Sequence, residues 1–101
     1  SAASDVYKRQ VYEIPNTVVE IGPQSFYRSQ IKNVIIPNSV KKIDSESFYQ
    51  CENLEEVNLP EGLERIEWRA LYGCHKIKTI VVPSSVTFIG GEAFNNMGRI
   101  N

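Results

Sequence analysis

The sequence predicts a solenoid. The expected fold is an α/β-type repeat of short parallel strands, stacked one per repeat, with short helical or 3₁₀ turns on the opposite side. Three observations predict it. Pro15-Asn16-Thr17-Val18, Pro37-Asn38-Ser39-Val40, Pro60-Glu61-Gly62-Leu63 and Pro83-Ser84-Ser85-Val86 recur at spacings of 22, 23 and 23 residues, and a fixed period in this range marks a repeat architecture. Ile21, Ile43, Ile66 and Ile89 each follow three residues later, and Phe26, Phe48, Leu71 and Phe94 each five residues after that. A unit this short cannot bury its own apolar side, so its stability has to come from stacked neighbours.

Each element follows from one unit written in full: Leu54-x-x-Val57-x-Leu59-Pro60-x-x-Leu63-x-x-Ile66-x-x-x-Ala70-Leu71-x-x-Cys74. Val57-x-Leu59 alternates, which makes Glu56–Leu59 a short strand with equivalents at Val11–Ile14, Asn33–Ile36 and Thr79–Val82. The proline after each strand ends it, because proline donates nothing to a ladder. A second extended piece runs through Ile21, Ile43, Ile66 and Ile89. Glu46–Gln50, Arg69–Gly73 and Glu92–Asn96 then carry a small residue, a bulky apolar residue and a third inward residue three positions on. That spacing suits a single helical or 3₁₀ turn, too short to stand alone. The first unit is one residue short between Ser29 and Ile31, in a turn, where a deletion disturbs packing least.

Stacking at about 4.8 Å brings equivalent inward residues into contact. The expected columns are Tyr12, Val34, Val57 and Ile80; Ile14, Ile36, Leu59 and Val82; Val18, Val40, Leu63 and Val86; the four isoleucines; and Phe26, Phe48, Leu71 and Phe94.

Composition bounds the function classes. The 101 residues suffice for one domain, and 42% hydrophobic with 23% charged residues describes a folding chain. Eleven basic and twelve acidic residues are mixed along it, for a net charge of −1; a nucleic-acid or anionic-membrane surface needs a basic stripe instead. No apolar run approaches the roughly 20 residues of a spanning helix, and no apolar segment follows Ser1-Ala2-Ala3-Ser4 as in a signal peptide. Asp5-Val6-Tyr7-Lys8-Arg9-Gln10 looks like the translation of a sequencing adaptor. Residues 1–10 are therefore read as a non-native or disordered segment, and residues 11–101 as a solenoid of about four coils, the last incomplete.

The repeat resembles the BspA-like leucine-rich repeat proteins. The residues that carry the resemblance are Ile14-Pro15, Ile36-Pro37-Asn38-Ser39-Val40, Val82-Pro83-Ser84-Ser85-Val86, Ile89-Gly90, Ala93-Phe94, and Cys51 with Leu54 and Val57. Departures are Leu71 for Phe, Met97 and Ser29 for Cys, and Asp44 and Glu67 for Gly. The Asn of better-known leucine-rich repeats is replaced by Thr17, Ser39, Gly62 and Ser85; the hydroxyls of Thr17, Ser39 and Ser85 are expected to bond backbone groups in the turn. The resemblance implies extracellular or cell-surface placement, and a role in adhesion or protein recognition.

Residues with reactive side chains give no catalytic pattern. Cys51 and Cys74 occupy one inward column, either as small buried thiols or as a disulfide between coils. His75 beside Cys74 has no third group to orient it and reads as a solvated turn residue. Gly90-Gly91 lacks the Lys-Ser/Thr of a phosphate loop. No cofactor or metal pattern is present, and no enzyme activity is expected from these residues.

Binding is expected on outward columns. One is the solvent side of the strand ladder: Asn33, Glu56 and Thr79 with Val11, beside Ile35, Asn58 and Val81 with Glu13; such ladders line the extended faces of solenoids. A second is Tyr27, Tyr49 and Tyr72, rigid amphipathic rings of the kind binding surfaces use. Trp68 stands alone where other repeats have Pro23, Ser45 and Gly91, and tryptophan is enriched among interface anchors. The leading function is a non-catalytic recognition module for a protein or glycan partner; a structural spacer, or the accessory repeats of a larger surface enzyme, are the alternatives. The terminal coils carry no evident cap, so isolated chains are expected to associate end to end. Sedimentation at rising concentration tests this: a larger average mass is expected, and a monomer throughout contradicts it.

Overall fold

The computed structural model describes residues 11–98. Its four coils each make three sides; two of these carry parallel ladders running across the coils, and the third is a run of turns. The first ladder joins β1 (Val11–Glu13), β3 (Asn33–Ile35) and β5 (Glu56–Val57). The second joins β2 (Glu20–Ile21), β4 (Lys42–Ile43), β6 (Arg65–Ile66) and β7 (Phe88–Ile89). Registers match the repeat: Tyr12 faces Val34 and Val34 faces Val57, while Ile21, Ile43, Ile66 and Ile89 pair in series. Between the two ladders, each proline carbonyl closes a β-turn by accepting from the N–H three residues on, at 3.1–3.2 Å in all four coils.

The third side departs from the expected helical turn. Every second N–H bonds within its own coil, as from Ser25 to Gly22, Tyr27 to Gln24 and Ser29 to Phe26. The N–H groups between them reach the next coil: Gln24 to Ser45, Phe26 to Ser47 and Arg28 to Tyr49, with the same series in coils two to three and three to four. A helical turn would direct these donors inside one coil; consecutive β-turns free half of them to tie coils together. The geometry requires left-handed backbone, found at Gln24, Arg28, Glu46, Gln50, Arg69, Gly73, Glu92 and Asn96, with φ from 50° to 78°. Most of these are not glycine, so the side stores strain of about 1 kcal/mol per residue or more, offset by the cross-coil bonds, 2.6–3.1 Å long.

A second correction concerns the fourth coil. Thr79–Val82 is not a strand. The cause lies one coil earlier, at Asn58. Between the first two coils, Ile14 N–H donates to the backbone carbonyl of Ile35 at 3.0 Å. At the equivalent place in the next pair, Ile36 N–H donates instead to Asn58 Oδ1 at 2.9 Å, and Asn58 Nδ2 donates to Ile36 C=O at 2.8 Å. The side-chain amide stands in for backbone between the second and third coils. β5 stops at Val57, and the ladder on this side ends there.

The core lies between the two ladders and the turn side. Val40, Ile43, Phe48, Leu54, Leu63, Ile66 and Leu71 are fully buried. The rings of Phe26 and Phe48 stack 4.9 Å apart at 2°, and Phe94 packs against the same cluster. Tyr12, in the same coil as Phe26 and with its ring 5.7 Å away, is exposed and not inward as expected. Ile89 is 48% exposed where its equivalents Ile43 and Ile66 are fully covered, because no described coil lies beyond it. Ser39 and Ser85 send their hydroxyls across coils, to Val18 C=O and Leu63 C=O at 2.7 Å, and not into their own turn. Where the first unit is short, the Ser29 hydroxyl accepts from Ile31 N–H at 3.2 Å.

Phe48 touches an aromatic ring in one direction and the Leu71 layer in the other. Phe48→Ala is expected to cost about 3–5 kcal/mol, read from urea denaturation; an unchanged midpoint contradicts the core assignment.

Candidate functional site

The solvent side of the first ladder is a shallow groove of about 1030 Å³. Strand alternation places Asn33 and Ile35 outward on either side of buried Val34, and register aligns Asn33 with Val11 and Glu56. Five of the six ladder residues predicted to bind line this groove: Asn33, Ile35, Glu56, Asn58 and Thr79. Ile35 is 47% exposed within it. Val81, 69% exposed, lies outside it. Asn58 lines the groove, but its amide is already held by the Ile36 backbone, so it shapes the surface more than it offers free groups.

The groove also contains residues that sequence reasoning did not select: Glu55, His75, Lys76 and Lys78. Their signal was their place in the repeat, just ahead of each strand. His75 is solvent-exposed, as expected of a turn residue, but that turn forms the groove's wall. The walls carry both signs. Glu55 pairs with Lys32 at 3.8 Å, and Lys76 Nζ donates to Asn53 Oδ1 at 3.4 Å. These exposed contacts add little stability; they hold long side chains in columns.

The tyrosine column lies on the turn side. Tyr27, Tyr49 and Tyr72 stack with centroids 5.0 and 5.2 Å apart and planes 8° and 11° from parallel. Arg28 sits 5.9 Å from the Tyr27 ring centre, and Arg69 5.0 Å from that of Tyr72. Trp68 joins this side: Arg69 lies 4.4 Å from its ring while donating from Nε to Glu92 at 2.8 Å. Trp68 is 44% exposed. The neighbouring coil meets its indole with Gly91, where an added Cβ would lie 3.6 Å from Cδ1. The structure thus brings the predicted residues together as two separate surfaces, ladder strip and tyrosine-tryptophan side.

Cys51 and Cys74 are buried free thiols, so the structure takes the thiol reading over the disulfide. Each donates to the carbonyl of an aromatic core residue: Cys51 to Phe26 at 2.9 Å and Cys74 to Phe48 at 3.0 Å. The Cys51 thiol at hydrogen-bonding range, together with burial, pushes the Cys74 thiol well above its ordinary value. A thiol held in its protonated form is a poor nucleophile. Among the described residues, no group of three or more His, Cys, Asp or Glu is placed to hold a metal ion.

The raised Cys74 thiol makes stability pH-dependent. Below its ordinary value of 9.0 both states keep the proton. Above it the unfolded chain ionises first and stability falls, by at most about 1.4 kcal/mol per pH unit for this group. The same contact shifts the Cys51 thiol down, so the pair is tested together by denaturation: burial of both thiols is expected to give the native chain a steeper decline from pH 8 to 10.5 than the Cys51→Ala/Cys74→Ala double variant, and equal slopes contradict the assignment.

Comparison with known proteins gives a consistent result. The family model for the BspA type leucine rich repeat region (6 copies) matches residues 5–101. A leucine-rich repeat protein from Bacteroides ovatus is 40% identical with a TM-score of 0.78, over 83% of this chain and 22% of that one. Another, from Bacteroides capillosus, is 28% identical with a TM-score of 0.79, over 90% of this chain and 75% of its own length. The chain therefore spans about a fifth of the Bacteroides ovatus protein. No curated protein matches it.

Proposed function

Because the chain belongs to the BspA-type leucine-rich repeat family, we propose that it is a non-catalytic recognition module, acting at the cell surface or outside the cell, that docks a protein or glycan on its ladder strip. The observation that carries this reading is the groove of about 1030 Å³, built from outward side chains of successive coils held in register. Backbone bonds between coils fix the strip before any partner arrives, so docking loses little conformational entropy. Ile35 supplies apolar contact; Asn33, Glu56, Thr79, Lys76 and Lys78 supply polar groups of both signs. That mixture favours a partner with mixed polarity over a polyanion such as nucleic acid. Buried thiols and the lack of a metal-ligand cluster among the described residues support a role without catalysis. Exposed Phe88 and Ile89 on the outermost described coil support end-to-end association of isolated chains.

Paired surface variants test the reading. Ile35→Asp with Thr79→Lys alters the strip; Lys41→Glu with Glu64→Lys alters exposed positions elsewhere. Each is measured by surface-bound interferometry against a panel of extracellular-matrix proteins, mucin and sialylated or fucosylated glycans, with circular dichroism as the folding check. Binding by the native chain that weakens at least tenfold only in the strip variant supports recognition there. Equal loss in both variants, or no binding by the native chain, overturns it in favour of a spacer.

A further inference from the structure

The tyrosine column has a geometry that recognition does not use. Tyr27, Tyr49 and Tyr72 lie on three consecutive coils, 22 and 23 residues apart in sequence, yet their rings are 5.0 and 5.2 Å apart and nearly parallel. Each ring covers its neighbour's face, and arginine side chains lie near the two ends: Arg28 by Tyr27 and Arg69 by Tyr72. What remains open to solvent is the ring edge, which in tyrosine carries the hydroxyl and the two Cε atoms beside it. Tyr27 is 42% exposed, and Tyr49 and Tyr72 are half-buried. The other aromatic stack, half-buried Phe26 on buried Phe48, has no phenol.

We propose that Tyr27, Tyr49 and Tyr72 are an oxidative cross-linking site, at which a peroxide-driven one-electron oxidant joins neighbouring coils through a carbon–carbon bond between tyrosine rings. Two adjacent phenols each lose one electron and one proton to become phenoxyl radicals. The radicals pair at Cε of one ring and Cε of the next, forming the bond. The hydrogen on each of those carbons then passes, by loss and gain of a proton, to the phenol oxygen, restoring both aromatic rings. The two electrons and two protons removed reduce one hydrogen peroxide to two waters. The fold supplies proximity, holding the two radicals beside each other without a diffusional encounter. The new bond lies in the plane of both rings, so the stacked rings, 5.0 and 5.2 Å apart, have to swing from face-to-face to edge-to-edge before their Cε atoms meet. The product is a covalent staple across a 22- or 23-residue loop, which constrains the unfolded chain as a disulfide of that span does. This step is independent of any partner on the ladder strip.

The test treats the full chain, dilute and folded, with a haem peroxidase and stoichiometric hydrogen peroxide. Blue dityrosine fluorescence, a mass loss of two hydrogens per link and linked peptides joining Tyr27 to Tyr49 or Tyr49 to Tyr72 are expected, with the chain still monomeric on a denaturing gel. The thermal midpoint of the linked chain should rise by about 10 °C. Tyr49→Phe keeps the ring stack but removes the shared phenol, and should cut the intramolecular yield at least tenfold; Tyr12→Phe should leave it unchanged. Chain unfolded in urea should lose the pairing preference. No dityrosine, links mainly between chains, links mapped chiefly to Tyr12, or full yield from Tyr49→Phe would each overturn the proposal.

Discussion

The structure depends on backbone hydrogen bonding between coils. A coil of about 23 residues has too little regular structure to pair its own N–H and C=O groups, and buried groups of this kind must be paired. Here each coil satisfies its neighbour on three sides: through two ladders of two- and three-residue strands, and through alternate donors of the turn side. The third set is the most demanding. It holds residues such as Gln24, Glu46, Arg69 and Glu92 in left-handed backbone, a conformation that side chains disfavour. The strain persists because releasing one coil would break bonds to two others. Side-chain columns are a consequence of this scaffold: once backbone register is fixed, equivalent residues can only meet each other.

Period, columns and the second ladder were legible because the apolar pattern repeats and inward residues are chosen by burial. Ile21, Ile43, Ile66 and Ile89 pair as the spacing requires. The turn side was misread because a residue and its third neighbour point the same way in a 3₁₀ turn and in consecutive β-turns alike. Phe48 and Cys51 are both buried in either case. The distinguishing signal is backbone handedness, and sequence shows it only weakly: Gly73 and Asn96 are residues that tolerate positive φ, but Glu46, Arg69 and Glu92 at the preceding left-handed position are not.

The candidate site was legible in its strand residues and not in its walls. Asn33, Ile35 and Glu56 follow from alternation alone. Lys76 and Lys78 do not, since whether the segment ahead of a strand lies against the sheet or away from it depends on how the next coil sits. That placement follows the loss of the ladder after Val57, where Asn58 exchanges backbone pairing for side-chain pairing with Ile36. An asparagine amide presents N–H donors and a carbonyl acceptor in one plane, so one face of it can pair as a peptide group does. No periodicity argument reveals that substitution, because Asn58 occupies an outward position in the pattern and bonds backward all the same.

The two outward faces differ in what they leave unsatisfied. On the turn side the repeat places like beside like, and the tyrosines cover one another's faces. Its polar neighbours also pair internally: Gln24 with Glu46 at 2.9 Å, Arg28 with Gln50 at 3.1 Å, and Arg69 with Glu92 at 2.8 Å. On the ladder side the equivalent positions are unlike: Val11, Asn33, Glu56 and Thr79 in one column, Glu13, Ile35, Asn58 and Val81 in the other. Unlike neighbours on a rigid 4.8 Å lattice cannot all complete each other. An apolar side chain beside a carboxylate, as Ile35 beside Glu13, leaves contact capacity for something else. A uniform column closes on itself and stiffens the stack; a varied column on the same scaffold stays open to a partner. For that reason the proposed recognition is placed on the ladder strip, although the tyrosine side holds more aromatic surface.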